Sequence, residues 1–504
     1  MKTRLLFLIA ALALAGCRSD APPAQTLRVG VPSLPPSGGD PFRAEGTPSS
    51  YTWSAIFDGL TALAPDGTIQ PALATAWSSE DGQTWRFVLR RGVRFSNGAQ
   101  FDSKAAAATL RWLQSPEGKA SVIGGRMRDV VAVETPAPDL LIVRLRAPDA
   151  VFPKRLPSVA MVEPGAWKRL GAAGFSKTPV GTGPYRLVEN DERARTLVLD
   201  ANPYAWRKPK VANLRLLELT DEAVRQQALI SGDIDIARVG LDDTDLLEAR
   251  GVKIAHAPSM QVMSIAFITQ GRTGPLNDVR VRQALNYAVD KEGVSRALLR
   301  GLGAAAGQPG SKTTVGYNGA VTPYPHDPAR ARALLKAAGY GEGFPLKIEV
   351  VIGSLPADSL IYQSMAKDLE KVGVPVNLRA VSFPVFLRRY LSNDWGETNA
   401  FGLSWNAAPY NDVQRPMENF SCLKKPKPFF CDKALAEEIK AAGRILSPQA
   451  RGEALDALAV RHHDIAPALF LVEQVDVIGY GPRVSGLTVA NRNPVYEAMS
   501  LKAR

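Results

Sequence analysis

The stretch 274-GPLNDVRVRQALNYAVDKEGVSRALLRG-301 decides how this chain is read. Val281, Ala284, Leu285, Ala288 and Val289 recur at helical spacing and form one apolar stripe. Asn277 or Asp278 is placed to cap that helix, because a short side-chain oxygen accepts an orphan backbone N–H. Asp290 opens a second helix whose apolar face is Val294, Ala297 and Leu298. Gly301 permits the left-handed turn that ends it. The spacing alone predicts an amphipathic helical hairpin packed on a core.

The same local rules extend outward. Thr26–Val31 alternates and is β-rich, so it reads as a first strand, and a helix follows carrying Tyr51, Trp53, Ile56 and Phe57. Thr84–Leu89 alternates as a strand, Asp102 caps an Ala-rich helix ending near Leu113, and Val130–Arg146 folds back at Pro136–Asp139 as a hairpin. Strands at Thr196–Leu199 and Asn213–Glu218 precede a helix capped by Asp221. Val252–Ala255 and Ser264–Ile268 read as short strands flanking a loop, Pro258–Gln261. Asp327 and Pro328 begin a helix that Gly339 terminates. Leu346–Ile352, Ala357–Val372 and Val374–Val381 follow as strand, helix and strand, which implies a right-handed crossover and a parallel pair. Asp456–Asp464 reads as helix and Ala468–Ile478 as strand.

A chain of 504 residues is too long for one small core, so two or three lobes are expected. The net charge of +12 would suit nucleic acid or an anionic solute, but Lys and Arg are scattered with no dense basic run, and no nucleic-acid partner is expected. The first sixteen residues read as a cleaved secretory signal: Lys2 and Arg4 precede an apolar run, Leu5–Leu14, well short of the ~20 residues a spanning helix needs. Leu14-Ala15-Gly16-Cys17 resembles the lipobox of bacterial lipoproteins, which implies acylation of Cys17 and a lipidated tether over residues 17–25.

No enzyme signature appears, neither GxSxG, HExxH, a P-loop nor a dinucleotide fingerprint. No metal site or cofactor is expected: His256, His326, His462 and His463 do not cluster with Cys or carboxylates. Cys422 and Cys431 bracket SCLKKPKPFFC, and in an exported chain they are expected to form a disulfide.

The words "LNDVRVRQALNYAVDKEGV", "PALATAW…DGQTWRFVLRRGVRFSNGAQF" and "PVGTGPY", in that family's order, resemble the large solute-binding proteins of ABC importers, the dipeptide-, oligopeptide- and nickel-binding group (family 5). The resemblance implies an α/β, two-lobed periplasmic-binding-protein-like fold of the large three-domain type, with the ligand cleft between lobes. Lobe I would comprise residues 26–50, 181–273 and 478–504, an inserted subdomain 51–180, and lobe II 274–477. It also implies a monomeric, periplasmic receptor, lipid-anchored to the membrane. This receptor would capture a short peptide or other small polar solute and dock on membrane permease subunits driven by a separate ATPase.

The implied ligand contacts come from 401-FGLSWNAAPYNDVQRPMENF-420, namely Trp405, Asn406, Tyr410 and Asn411, with Tyr51, Met260 and Gln261 from elsewhere. Packing in the core is the alternative for Trp405 and Tyr410. In the peptide binders an Asp after that Trp pairs with the peptide's ammonium; here the position falls on Ala407 or Ala408, with Asp412 a few residues on. Without a carboxylate a buried ammonium has no partner, which argues against a standard peptide ligand. A nickel chelate or haem is the alternative cargo. A periplasmic enzyme or chaperone on the same scaffold is the alternative class.

Overall fold

The structure is a computed structural model that describes residues 26–35, 38–44, 46, 49–424 and 427–502. The N-terminal apolar run and Cys17 lie outside these residues. Among the described residues, eleven strands make one mixed sheet. They are Thr26–Val31 (β1), Tyr185–Asp191 (β2), Thr196–Ala201 (β3), Asn213–Glu218 (β4), Ile236–Arg238 (β5), Lys253–Phe267 (β6), Ala304–Ala305 (β7), Leu346–Val350 (β8), Val376–Ala380 (β9), Ala400–Asn406 (β10) and Ala468–Tyr480 (β11). Their order is β9-β8-β10-β6-β11-β5-β1-β4-β3-β2, with β7 beside β11. β8 runs parallel to β9 across the helix Asp358–Glu370, the crossover expected from the sequence.

Two large apolar cores flank this sheet. One gathers Leu27, Leu214, Tyr185 and the tail residue Tyr496 with Phe87 and Leu141 from a separate four-stranded sheet. The other gathers Val281, Leu285, Ile348, Tyr362 and Val472. The long strands β6 and β11 pair from Lys253–Tyr480 to Ala266–Ala468 and so run along both.

The opening segment folds as its spacing predicts. The helices are Val279–Ala288 and Lys291–Leu298, the Asp278 side chain accepts from Arg280 N and Asp290 from Gly293 N, and Gly301 sits at φ 72°. Buried Arg282 in the first helix donates to the carbonyls of Leu276, Asn277, Ile465 and Ala466, tying it to the end of the helix Pro448–Ile465. The second helix departs from expectation: Ala297 is exposed, and Val294, Ser295 and Leu299 form the buried face.

Lys291, the first residue of that helix, is 3 % exposed, and its ammonium donates to Asn286 Oδ1 at 2.9 Å and Ala306 O at 3.3 Å. Burial pushes this ammonium down to about 7. A lysine depressed in the fold binds its proton more weakly than in the unfolded chain. Stability therefore rises as pH climbs from about 7 towards the ordinary lysine value, by at most about 1.4 kcal/mol per pH unit from this group. Urea titrations between those limits should show this slope in the wild type and lose it in Lys291→Met; equal slopes would place water at the ammonium.

Other departures are local. The expected loop Pro258–Gln261 is part of one continuous 15-residue strand, β6, with a register shift between Pro258 and Val262. Met260 takes the left-handed φ of 54° there, within a bulge that absorbs two extra residues without breaking the strand. The last helix starts at Pro448, capped by Ser447, earlier than apolar spacing suggests. Cys422 and Cys431 form a disulfide, as expected. Among the described residues no helix is long and apolar enough to cross a membrane.

Candidate ligand-binding site

A cavity of about 520 Å³ opens between the two sides of the molecule. Tyr51, Asp58, Arg238 and Arg492 line it from one side; Gln261, Tyr362, Ser404 and Asn406 line it from the other. The wall contributed by β10 follows strand alternation except at Leu403. Gly402, Ser404 and Asn406 line the cavity, as does Leu403, whereas Phe401 and Trp405 lie in the core behind. Gly402 is required by close approach: a Cβ there would lie 2.6 Å from the Tyr362 hydroxyl.

The segment Gly181-Thr182-Gly183 backs the opposite wall, packing against Ile56 and Asp58. A Cβ at either glycine would meet the backbone of Ile56 at under 3 Å, so only glycine lets this segment seat against the helix Ser49–Ile56. Thr182 Oγ1 then donates to Asp58 Oδ2 at 2.8 Å, Trp206 Nε1 donates to the same oxygen at 2.9 Å, and Arg207 Nε and Nη2 donate to Oδ1 at 3.1 and 2.6 Å. Four donors saturate the one acid that the described residues place on the cavity wall.

The positive groups are arranged differently. Arg238, at the end of β5, and Arg492 share the carboxylate of Asp476 in β11. Arg492 Nε donates to Oδ2 at 2.7 Å and Nη2 to Oδ1 at 2.9 Å, and Arg238 Nη2 also donates to Oδ1. Burial raises the Asp476 carboxyl, but the two guanidiniums outweigh it and hold the group below its ordinary value. With its amide turned so that the NH2 faces Ser404 Oγ at 2.6 Å, Gln261 also accepts from Arg492 Nη2 at 3.1 Å.

Arg492 reaches this position from a two-residue hairpin. Val489–Ala490 pairs with Asn493–Pro494, and the turn residues Asn491 and Arg492 both have positive φ, 46° and 66°. That is the primed turn geometry that glycine normally serves. A long cationic side chain in this conformation is strained, and such strain concentrates at binding sites.

Of the residues singled out from the sequence, Tyr51, Gln261 and Asn406 line the cavity. Met260, Trp405, Tyr410 and Asn411 do not. Trp405 is 1 % exposed and stacks on Phe420 at 4.3 Å, with Phe470 edge-on at 5.0 Å. Tyr410 is buried among Arg126, Arg155 and Arg415, with Arg126 Nη1 3.3 Å from its hydroxyl. Asn411 packs over Gly67, and Met260 is buried at the β6 bulge. Ala408 lines the cavity where the resemblance expects an aspartate, while Asp412 is buried in ion pairs with Lys154 and Arg451. Pattern reading missed Arg238, Arg492, Asp476 and Asp58. One signal was present: Asp476 is a carboxylate inside an otherwise largely apolar strand, and such a group needs a buried partner.

Among the described residues, no three His, Cys, Asp or Glu side chains gather as metal ligands.

The chain is 28 % identical over 351 residues to the glutathione-binding protein GsiB of Salmonella paratyphi A, covering 68 % of this chain and 67 % of that relative. It is 28 % identical over 355 residues to the nickel-binding periplasmic protein of Escherichia coli K12, covering 65 % and 66 %. The periplasmic binding protein DppA of Helicobacter pylori, solved with the peptide STSA, superposes with a TM-score of 0.80 at 21 % identity over 95 % of this chain and 98 % of that one. That likeness establishes the two-lobed ligand-binding fold. The bacterial extracellular solute-binding proteins, family 5 (middle), match residues 68–426, and the chain belongs to that family.

Proposed function

We propose that this protein is the solute-capturing subunit of an ABC importer. It encloses a small polar organic molecule between its lobes and presents it to the membrane permease. Family 5 is a family of binding proteins that serve ABC importers. The observation that carries the reading is the cavity of about 520 Å³ with walls from both sides of the molecule, a volume suited to one small organic ligand and a placement suited to hinge closure. The lobe division 26–50 with 181–273 and 478–504, 51–180, and 274–477 belongs to this proposal, as do acylation at Cys17 and a periplasmic location on a lipid tether. Tyr51, Gln261 and Asn406 are the proposed ligand contacts retained from the sequence, joined by Arg238 and Arg492.

The test is mass spectrometry of small molecules released from the purified protein, followed by calorimetry with the molecule found. Stoichiometric binding without turnover is expected. Conversion of the molecule to product would end the receptor reading in favour of an enzyme. Binding that vanishes on chelation would make the cargo a metal complex.

A further inference from the structure

We infer that the solute is an organic anion without an ammonium group, held with its anionic head at Arg238 and Arg492 and its apolar body against lobe II; this rests on the receptor reading above. Three observations on the cavity wall converge on it.

The first is charge. Two guanidiniums share one carboxylate, so the cluster Arg238–Asp476–Arg492 carries one positive charge more than it neutralises. Asp476 is 2 % exposed, and Arg238 keeps 22 % of its side chain exposed beside the cavity. A carboxylate, sulfonate or phosphonate arriving there completes the neutralisation through charge-assisted hydrogen bonds. The polar groups lining the cavity around this cluster are neutral: Gln261, which accepts from Arg492, and Ser404 on one wall, and Ser50 hydrogen-bonded to Asn493 at 2.6 Å on the other.

The second is the lack of a free carboxylate for a cation among the described residues of the wall. Among the described residues Asp58 is the one acidic side chain on the wall, and its two oxygens already take four donors. A zwitterion would therefore bury its positive end unpaired, beside a wall that is itself positive.

The third is the apolar surface. Val351, Leu355, Tyr362, Phe383 and Phe386 line the lobe II side, with Tyr362 lying over Gly402 next to the polar patch. Head and body sites thus lie on facing walls of one cavity.

Calorimetry on the mature full-length chain with three probes of one body separates the possibilities: N-acetyl-leucyl-phenylalanine, leucyl-phenylalanine, and leucyl-phenylalanine amide. The acetylated anion should bind at least tenfold more tightly than the zwitterion, and the cationic amide should give no heat. Arg492→Gln and Arg238→Gln, made separately, should each weaken the anion by about 10- to 100-fold and close the gap between anion and zwitterion. Neither substitution strands Asp476, because the other arginine remains, and Arg492→Lys should restore part of the discrimination. A merely structural arginine would alter all probes alike. A zwitterion that binds as well as or better than the anion overturns the inference and leaves the receptor reading standing. Silence from all three probes also overturns it, and the receptor reading is then decided by the molecule that co-purifies. Hydrolysis of a probe would defeat the receptor reading instead.

Discussion

Replacing Asp412 with alanine is expected to lower the apparent unfolding free energy by about 3–5 kcal/mol, the cost of leaving buried partner charges uncompensated. Asp412 is fully buried. Its Oδ2 accepts from Lys154 Nζ at 2.8 Å and Arg451 Nη1 at 2.9 Å, and its Oδ1 accepts from Arg451 Nη2 at 2.8 Å and the Gln414 amide at 3.1 Å. Lys154 belongs to the short helix Phe152–Arg155, packed with the four-stranded sheet, and Arg451 to the long helix Pro448–Ile465. The carboxylate thus fastens together segments 258 positions apart in the chain. Burial raises its carboxyl, but Lys154 and Arg451 together hold it below the ordinary value. A depressed carboxyl stabilises the fold above the ordinary carboxylate range, and that contribution fades as pH falls through the lowered value. Denaturant midpoints at neutral pH would measure the loss, and Asp412→Ala combined with Lys154→Met should recover part of it by removing one stranded charge. A loss under about 1 kcal/mol would mean that water already screens the pair, as at an exposed ion pair.

What the sequence disclosed about this protein follows the range of the interactions involved. Asp102, Asp221, Asp278, Asp290 and Asp327 each cap the helix assigned to them, because a cap is settled within three residues. The parallel pair of β8 and β9 was legible for the same reason, as strand, helix and strand follow in order. The binding site was not. Arg238, Asp476 and Arg492 meet across 238 and 16 positions of chain, and no local pattern encodes that meeting. Asp58 gains its place only from Thr182, Trp206 and Arg207, at least 124 positions away in the chain. β6 failed differently: Pro258 and the bulge at Met260 imitate a break, and only pairing with β11 carries the strand through. The segment 401–406 held a readable answer, since Phe-Gly-Leu-Ser-Trp-Asn alternates apolar and polar residues. Strand periodicity puts Trp405 with Phe401 on the inner face and Ser404 with Asn406 on the wall. Aromatic and amide composition pointed to a segment that borders the cavity, and the period separates its lining residues Ser404 and Asn406 from the core residues Phe401 and Trp405.

Trp405→Ala provides the second large effect, and it sets core against site at adjacent positions. The indole is enclosed by Phe420, Phe470 and His462, at ring separations of 4.3, 5.0 and 5.9 Å. His462 is neutral at physiological pH, because burial pushes it down to about 4, so the enclosure is uncharged as well as dry. Removing so large a buried side chain costs about 3–5 kcal/mol, since surroundings packed this closely collapse only in part. Phe420 lies two residues before Cys422, and the disulfide to Cys431 limits how far that wall can move into the void. Affinity for the solute should change little, because the indole does not line the cavity. Asn406→Ala, one residue on, should show the reverse: a side chain leaves the cavity wall, so affinity falls, while stability loses only about 1 kcal/mol with the turn bond to the Ala408 amide. Paired thermal-shift and calorimetric measurements on the two variants decide the matter. If Trp405→Ala abolished binding while its unfolding midpoint held, the indole would have to reach the solute, and the face assigned to β10 would be inverted.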